Sequence, residues 1–364
     1  MKLRLLFLFV VCLSLRSQLF SQADSVNNEP SAAPPVKITG FVDAYYGYDF
    51  NNPSNHEVSA PFLYNYRRHN EFNINLGLLS GSYSNNNIRG KIGLMSGTYA
   101  QYNYAAEQEL LKHVYEANVG VRLAKHLWMD AGIFASHIGN ESAFSIQNPT
   151  LTRSIMAENS PYYQTGAKLT YDAGKKWLFS LLILNGWQNI QETAGNSNKP
   201  VCTQITFRPS KNVEMNYSTF IGNEKPDSAR QMRYFNHFYI TAHLTKKLYL
   251  SFAADNGIQM HVHSSKYDNW FTSSLILKGK FSTKFSTSLR GELYNDQRQV
   301  IVTTGTPHGL DVYGASVNFD FAPYDGALIR LEAKQFMAKE KVFTTRTGAS
   351  NQSTIITTSF AVSF

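Results

Sequence analysis

Residues 37–50 read KITGFVDAYYGYDF, and their hydropathy changes at almost every second position. Ile38 and Val42 lie on one side of an extended chain, whereas Asp43 and Asp49 lie on the other side. Alternation with a period of two is typical of a β-strand that has one apolar face and one polar face. This stretch therefore predicts a strand that separates two different environments.

The same alternation recurs along the rest of the chain. In residues 72–78, for example, Phe72, Ile74, Leu76 and Leu78 form the apolar face. We find sixteen such segments, centred near Ala44, Ile74, Ile92, Val119, Ala131, Ala167, Leu181, Ile205, Tyr217, Ile240, Leu250, Ile276, Leu289, Ala315, Leu331 and Phe360. The pattern predicts an all-β chain with about sixteen strands.

The connections between these segments alternate between short and long. The short ones are residues 81–86, 124–126, 172–176, 208–212, 245–247, 278–284 and 322–326. The long ones are residues 51–64, 102–112, 138–160, 189–199, 223–232, 258–268, 296–309 and 337–351. Transmembrane β-barrels have short periplasmic turns and long extracellular loops. The spacing therefore predicts a transmembrane antiparallel β-barrel in the bacterial outer membrane, with both termini in the periplasm.

The composition agrees with a barrel and excludes several other classes of protein. Only 16% of the 364 residues are charged, compared with about a quarter in a typical globular domain. The mean hydropathy of −0.29 is too polar for a bundle of membrane helices, and no apolar run of about eighteen residues follows residue 23. A closed sheet with one face in lipid and one in water accounts for both values, because only half of each strand must exclude charge.

The N-terminal residues predict export from the cytoplasm. Lys2 and Arg4 precede an apolar stretch, and small residues stand before position 24, so residues 1–23 are expected to be a signal peptide. Residues 24–36 are polar and proline-rich and are expected to be flexible, which leaves residues 37–364 for the barrel. Removing the signal peptide, which carries Lys2, Arg4 and Arg16, lowers the net charge from +8 to +5. That charge is too small and too dispersed to predict nucleic-acid binding.

The polar faces of the strands suggest a water-filled lumen, because about sixteen strands enclose a channel. The longest loop, residues 138–160, is expected to fold into this lumen and narrow it. The candidate constriction residues are Glu141, Arg153 and Glu158 of that loop, facing Arg89, Lys91, Arg122, Lys168, Arg290, Glu292 and Arg330 of the wall. Such a constriction would sort small hydrophilic solutes by size and charge. A slight basic excess suggests a weak preference for anions.

Several local sequences resemble the OmpL-like β-barrel porins of Gram-negative bacteria. They are GFVDAYY at 40–46, HVYEAN at 113–118, DAGIF at 130–134, SIMAENSPYY at 154–163 and LNGWQ at 184–188. The resemblance implies an outer-membrane porin and carries no catalytic motif. The chain ends in alternating Phe360, Val362 and Phe364, which resembles the terminal signal recognised by the machinery that assembles outer-membrane barrels.

Other functions are weighed against this interpretation. The long loops could serve a surface adhesin or receptor, and the barrel could hold an enzyme, although no nucleophile and base are grouped in the sequence. His261 and His263 share one face of an extended chain, but two imidazoles alone are more simply loop histidines than a metal site. No cofactor is predicted. Association with identical copies is left open, and Cys202 is expected to face the lumen if Val201 faces lipid.

The aromatic residues suggest interfacial girdles. Transmembrane barrels carry Trp and Tyr at both edges of the apolar band. Near the ends of the predicted segments lie Tyr46, Tyr48, Trp128, Tyr171, Trp177, Trp187 and Trp270. We expect these rings to face outward at the two membrane interfaces.

Overall fold

The computed structural model describes residues 36–364, so the predicted signal peptide and residues 24–35 lie outside the described part. The strands are β1 (Lys37–Asp49), β2 (Phe72–Ser84), β3 (Ile88–Ser96), β4 (Val114–Ala124), β5 (Leu127–Ala135), β6 (Tyr163–Asp172), β7 (Trp177–Leu184), β8 (Val201–Ser210), β9 (Val213–Asn223), β10 (Met232–His243), β11 (Leu248–Met260), β12 (Tyr267–Lys280), β13 (Phe285–Asp296), β14 (Leu310–Phe321), β15 (Ala327–Ala338), β16 (Phe343–Thr344), β17 (Ala349–Ser350) and β18 (Gln352–Ser363).

Two short helices, α1 (Thr98–Asn103) and α2 (Ile155–Glu158), lie in the connections. Three single 3-10 turns accompany them: Leu111–His113, Ser145–Gln147 and Asp227–Ala229. Among residues 36–364 no helix is both long enough and apolar enough to cross a membrane.

Within the described residues, sixteen strands form one closed antiparallel barrel, and β16 and β17 form a separate small hairpin. From β1 to β15, each strand pairs with the next one in the chain, β15 pairs with β18, and β1 pairs with β18 to close the sheet. The Gly40 amide donates to the Phe364 carbonyl oxygen at 2.7 Å, and the Phe364 amide donates to that of Gly40 at 3.0 Å. Closure leaves no strand edge unpaired, which a sheet in lipid requires. The predicted all-β barrel of about sixteen strands is confirmed.

The alternation of short and long connections is also confirmed, although several bounds differ. The first long connection, predicted over residues 51–64, extends over residues 50–71. The sixth long connection was predicted over residues 258–268, but only residues 261–266 separate β11 from β12. Both strands extend further because the pairing continues to Met260 and Tyr267. The third long connection, residues 136–162, is the longest connection in the described part of the chain.

The two faces of the wall differ as the alternation predicts. Val119 and Leu289 are 68% and 55% exposed on the outer face, whereas the polar Arg290 and Asn318 point inward and are buried. Inside the barrel, apolar side chains are concentrated where the strands meet the long connections. Leu184, Phe220 and Phe336 belong to a buried cluster there. Residues of the long connections, such as Phe62 and Ile155, pack into the same cluster, so the wall at this end resembles a protein core more than an aqueous surface.

The predicted face of β2 is wrong over part of its length. Ile74 is exposed on the outer face, but Leu76 and Leu78 are buried inside the barrel. The register between β1 and β2 shifts between Asp43 and Ala44, where Asp43 pairs with Leu76 and Ala44 with Ile74. One extra residue in a strand reverses the side-chain alternation beyond it. Leu76 and Leu78 therefore join an interior cluster.

The predicted aromatic girdles are also partly wrong. Tyr171 and Trp177 do lie exposed on the outer face, and Trp177 stacks on Phe207 with ring centroids 4.1 Å apart. Trp270, however, is buried inside the barrel, and Trp187 packs edge-on against Phe235 in the interior cluster. Position near a strand end fixes the height of a ring in the wall but not the face on which it lies.

The prediction for Cys202 is confirmed, because this residue is fully buried on the inner face while Val201 is 45% exposed on the outer face. In protein that starts at residue 24, Cys202 is the sole thiol. We expect a maleimide to leave it unmodified in the folded barrel and to modify it completely after denaturation, as mass spectrometry would measure. Rapid labelling of the folded protein would place the thiol on the wrong face.

Candidate pore constriction

The third long connection lies inside the barrel and spans it. We call residues 136–162 the inner loop. The Phe144 ring packs on Phe41 of β1, with centroids 5.0 Å apart. Across the lumen, the Leu151 amide donates to Asn318 Oδ1 of β14 at 3.0 Å. Ile155 belongs to the apolar cluster formed by the strand side chains. The inner loop therefore folds inward because its apolar residues are buried there and the wall accepts its backbone hydrogen bonds.

Arg330 of β15 donates four hydrogen bonds to the inner loop, more than any other wall side chain in the described part of the chain. Its terminal nitrogens donate to four loop carbonyl oxygens, those of Ser145 (2.6 Å), Thr150 (3.0 Å), Pro149 (3.1 Å) and Asn148 (3.3 Å). Arg330 Nε also pairs with Asp320 Oδ1 at 2.8 Å. The guanidinium is fully buried, and its planar set of donors fixes this segment against the wall.

A second buried arginine holds the next part of the inner loop. Arg290 donates to the Thr152 carbonyl oxygen at 2.6 Å and pairs with Glu332 Oε1 at 2.8 Å. Glu292 accepts from the Ile155 amide at 2.6 Å, at the first turn of α2. The wall residues Arg290, Glu292 and Arg330 therefore lie beneath the loop, paired and buried, and hold it in place.

The loop residues Glu141 and Arg153 line a cavity of about 230 Å³ with Tyr99, Tyr115 and Tyr162. Glu141 accepts hydrogen bonds from the amide, at 2.9 Å, and the hydroxyl of Ser154, which is the N-cap of α2. The Arg153 guanidinium lies over the Tyr162 ring, 3.9 Å from its centroid. This cavity brings an acid and a base together between the loop and the wall.

Glu158, at the end of α2, lies at the outer side of the inner loop. Its carboxylate accepts from the amide of Tyr64 at 2.7 Å, from Nδ2 of Asn65 at 2.9 Å and from the hydroxyl of Tyr162 at 3.2 Å. Burial raises the pKa of Glu158 above its ordinary value, and the positive charge of Arg153 opposes that rise. Glu158 and Tyr162 also line a second cavity of about 280 Å³, together with Trp187.

The other predicted wall residues lie away from these contacts. Arg89 pairs with Asp130, and its side chain is 34% exposed. Lys91 pairs with Glu116 at 2.8 Å and is 40% exposed.

Two further predicted bases lie on β6 and β4. Lys168 of β6 lies 4.7 Å from the centroid of the Phe134 ring. Arg122 is near a short turn, where it donates to Asn87 at 3.1 Å. We call Arg89 and Lys91 of β3 and Lys168 of β6 the basic face, to which the intervening strands β4 and β5 contribute the carboxylates Glu116 and Asp130.

Sequence reasoning missed two residues of this arrangement. Lys278 of β12 pairs with Asp320 at 2.6 Å and donates to the Pro149 carbonyl oxygen at 3.4 Å. Lys278 and Asp320 lie at inward positions of strands whose alternation was recognised. Extending that alternation to the strand ends would have placed them beside Arg330.

With the fold and this geometry described, the chain can be compared with known proteins. A family model described as "Putative beta-barrel porin-2, OmpL-like" matches residues 35–364. The chain belongs to this family. The OmpL-like porin is thus an integral outer-membrane channel, as the sequence predicted, and its family points to a channel function. Among curated proteins, no significant sequence match was found.

Solved porin structures share the fold of this OmpL-like porin. The outer-membrane channel DcaP of Acinetobacter baumannii superimposes with a TM-score of 0.62 and 11% identity, covering 93% of this chain and 99% of DcaP. An anion-selective porin from Comamonas acidovorans superimposes with a TM-score of 0.61 and 7% identity, covering 91% of this chain and 99% of that porin. The trimer form of OmpT of Vibrio cholerae superimposes with a TM-score of 0.61 and 8% identity, covering 91% of this chain and 99% of OmpT. At these identities the similarity concerns the fold.

Proposed function

We propose that this OmpL-like porin lets small hydrophilic solutes diffuse passively across the outer membrane, and that the inner loop is its constriction. The observation that carries the proposal is the inner loop itself, which crosses the lumen and places Glu141 and Arg153 beside one cavity. A loop fixed by buried arginines narrows the pore permanently, so the channel sorts solutes by size and charge without opening or closing. No cofactor and no catalytic step are needed.

The charges along the proposed path favour anions weakly. From the outer cavity, a solute reaches Glu141 and Arg153, and then the basic face of Arg89, Lys91 and Lys168. Two of these three bases have a carboxylate partner, in Asp130 and Glu116, which reduces their net field. Charge in a low-dielectric channel raises the local concentration of the opposite ion. Among residues 36–364, Lys168 has no carboxylate within ion-pair distance, so the basic face keeps one net positive charge, which supports modest anion selectivity.

Orientation and assembly form part of the same proposal. The short connections and both termini lie in the periplasm, the usual arrangement in outer-membrane barrels. Residues 1–23 direct export and are removed, and Phe364 at the closing seam is recognised by the assembly machinery. We extend the proposal to association with identical copies in the membrane, because OmpT of Vibrio cholerae, which shares this fold, has a trimer form.

The test exchanges the charge of Arg153 in the constriction. Arg153→Glu places a second acid beside Glu141, so we expect lower conductance and a reversal potential shifted toward cation selectivity in a salt gradient. Single-channel recording in planar bilayers measures both values. The control is Arg346→Glu, in an exposed part of the last long connection, which should change neither. Unchanged current and selectivity in Arg153→Glu would exclude the inner loop from the ion path.

A further inference from the structure

The two ends of the barrel differ in their charge. The connections at the short-turn end carry the lysines Lys125, Lys175, Lys176, Lys211, Lys246, Lys247 and Lys284, and a single carboxylate, Asp325. The described long connections mix carboxylates and basic side chains in nearly equal number. The family match does not account for this asymmetry. It gives the short-turn end a positive field that the other end lacks.

A cavity of about 250 Å³ lies at this end, between the inner loop and the wall. Four lysines line it: Lys246 and Lys247 from one turn, and Lys278 and Lys280 from β12. Lys278 is paired with Asp320. Within residues 36–364, the other three have no carboxylate within ion-pair distance. The lining also contains no aspartate or glutamate.

The remaining walls of the cavity supply neutral groups. The inner loop contributes residues 146–149, including the exposed amide side chain of Gln147. His243 and Tyr249 lie on adjacent strands with ring centroids 5.2 Å apart. The loop segment is held by Ser288, whose hydroxyl donates to the Pro149 carbonyl oxygen at 2.5 Å. One side of the cavity is therefore fixed, while Lys246, Lys247 and Lys280 are exposed on the other.

We propose that this cavity is a binding site for an oxyanion of the phosphate class, at the short-turn mouth of the channel. The ammonium groups of Lys246, Lys247 and Lys280 would neutralise the anion, and the Gln147 amide would donate a hydrogen bond. Lysines on flexible stems bind phosphate as point charges. Exposed, hydrated ammonium groups bind weakly, which suits a channel because conduction requires that a bound ion also leave.

We propose that the cavity binds a free, soluble phosphate-class anion and not the headgroup of a lipid. Tyr249 and Lys278 lie on the inward alternation of their strands, since Ser251 and Ile276, two residues from each, are buried inside the barrel. The inner loop closes the side toward the lumen centre. A lipid headgroup would instead lie against the outer face of the turns. The placement of the site in the periplasm rests on the orientation given under the proposed function.

The experiment uses inorganic phosphate as the probe in planar bilayers of neutral lipid. We expect phosphate added on the short-turn side of the wild-type porin to reduce the chloride current, with a much weaker effect from the opposite side. The triple variant Lys246→Gln, Lys247→Gln, Lys280→Gln should lose this sided block. The matched control is Lys175→Gln with Lys176→Gln, which removes two lysines from a turn outside the cavity and should retain it.

The outcomes separate this inference from the proposed channel. An equal block in wild type and triple variant, or no block in either while chloride still conducts, would overturn the oxyanion site and leave the porin function intact. Absence of conductance from folded protein would overturn the porin function first. If the triple variant instead weakens retention on vesicles containing phosphatidylglycerol, with no block by free phosphate, the lysines bind lipid and the proposal is wrong. Heat-modifiable mobility in gels checks folding of each variant.

Discussion

Replacing Arg330 with methionine is expected to raise the single-channel conductance severalfold and to make the open-channel current noisy. The side chain donates to four carbonyl oxygens of the inner loop and pairs with Asp320. Methionine fills much of the same volume but offers no donors. The segment around Pro149 would then lose its main attachment to β15.

The size of the effect follows from burial. Removing one partner of a buried ion pair costs about 3–5 kcal/mol, because the other charge and the freed acceptors stay away from water. The barrel wall is held by its strand pairing, so the substitution mainly destabilises the attachment of the inner loop to the wall. A loop that leaves the wall part of the time widens the lumen part of the time, which explains both the higher mean current and the noise.

Recording single channels of Arg330→Met beside wild type measures the change. Arg346→Met is the control, since it removes an exposed arginine of the last long connection. A heat-modifiable band of normal mobility would show that the barrel still forms. A folded Arg330→Met porin with wild-type conductance would mean that the inner loop does not depend on Arg330, or does not limit the current.

The sequence predicted the wall well because a strand in a barrel repeats one rule at every second residue. Failures occur where that rule is broken locally. The extra residue in β2 turned Leu76 and Leu78 inward, and no composition cue marks its position. Trp270 illustrates the second kind of failure, because an aromatic ring near a strand end suits a girdle and a packed interior equally well.

The candidate site was predictable as a list and not as an arrangement. Loop length and mixed charge indicated residues 138–160 as the constricting loop. The alternation of side chains along each strand indicated which charged residues face the lumen. Which bases hold the loop and which remain partly exposed depends on how the loop crosses the lumen. Arg290 and Lys91 are equivalent in the sequence pattern, yet one is buried beneath the loop and the other is 40% exposed. That difference is set by contacts between residues far apart in the chain.

A second large effect is expected from Gly132→Ala, which should greatly reduce the yield and stability of the folded barrel. Gly132 of β5 has φ of +123°, a conformation that L side chains rarely adopt. It pairs with Gly166 of β6 on one side and with Asn118 of β4 on the other. A Cβ added there would lie far inside van der Waals contact of the Ala117 carbonyl oxygen.

Neither difficulty can be relieved locally. The atom in the way is backbone that pairs within the sheet, so β4 or β5 must shift and lose ladder hydrogen bonds in lipid, where each unpaired group costs several kcal/mol. The backbone conformation alone costs about 1–3 kcal/mol for a residue other than glycine. We therefore expect a loss of about 3 kcal/mol or more in the free energy of unfolding.

Urea titration of the barrel in lipid vesicles measures this loss. Gly291→Ala is the matched control, because Gly291 is also a strand glycine but has open space around the position of a Cβ, so its stability should change by less than about 1 kcal/mol. Equal stability of the two variants would show that β4 and β5 are not packed as described. A loss confined to Gly132→Ala would instead mean that the wall requires a glycine at this position, because the strand backbone there has a positive φ that other residues rarely adopt.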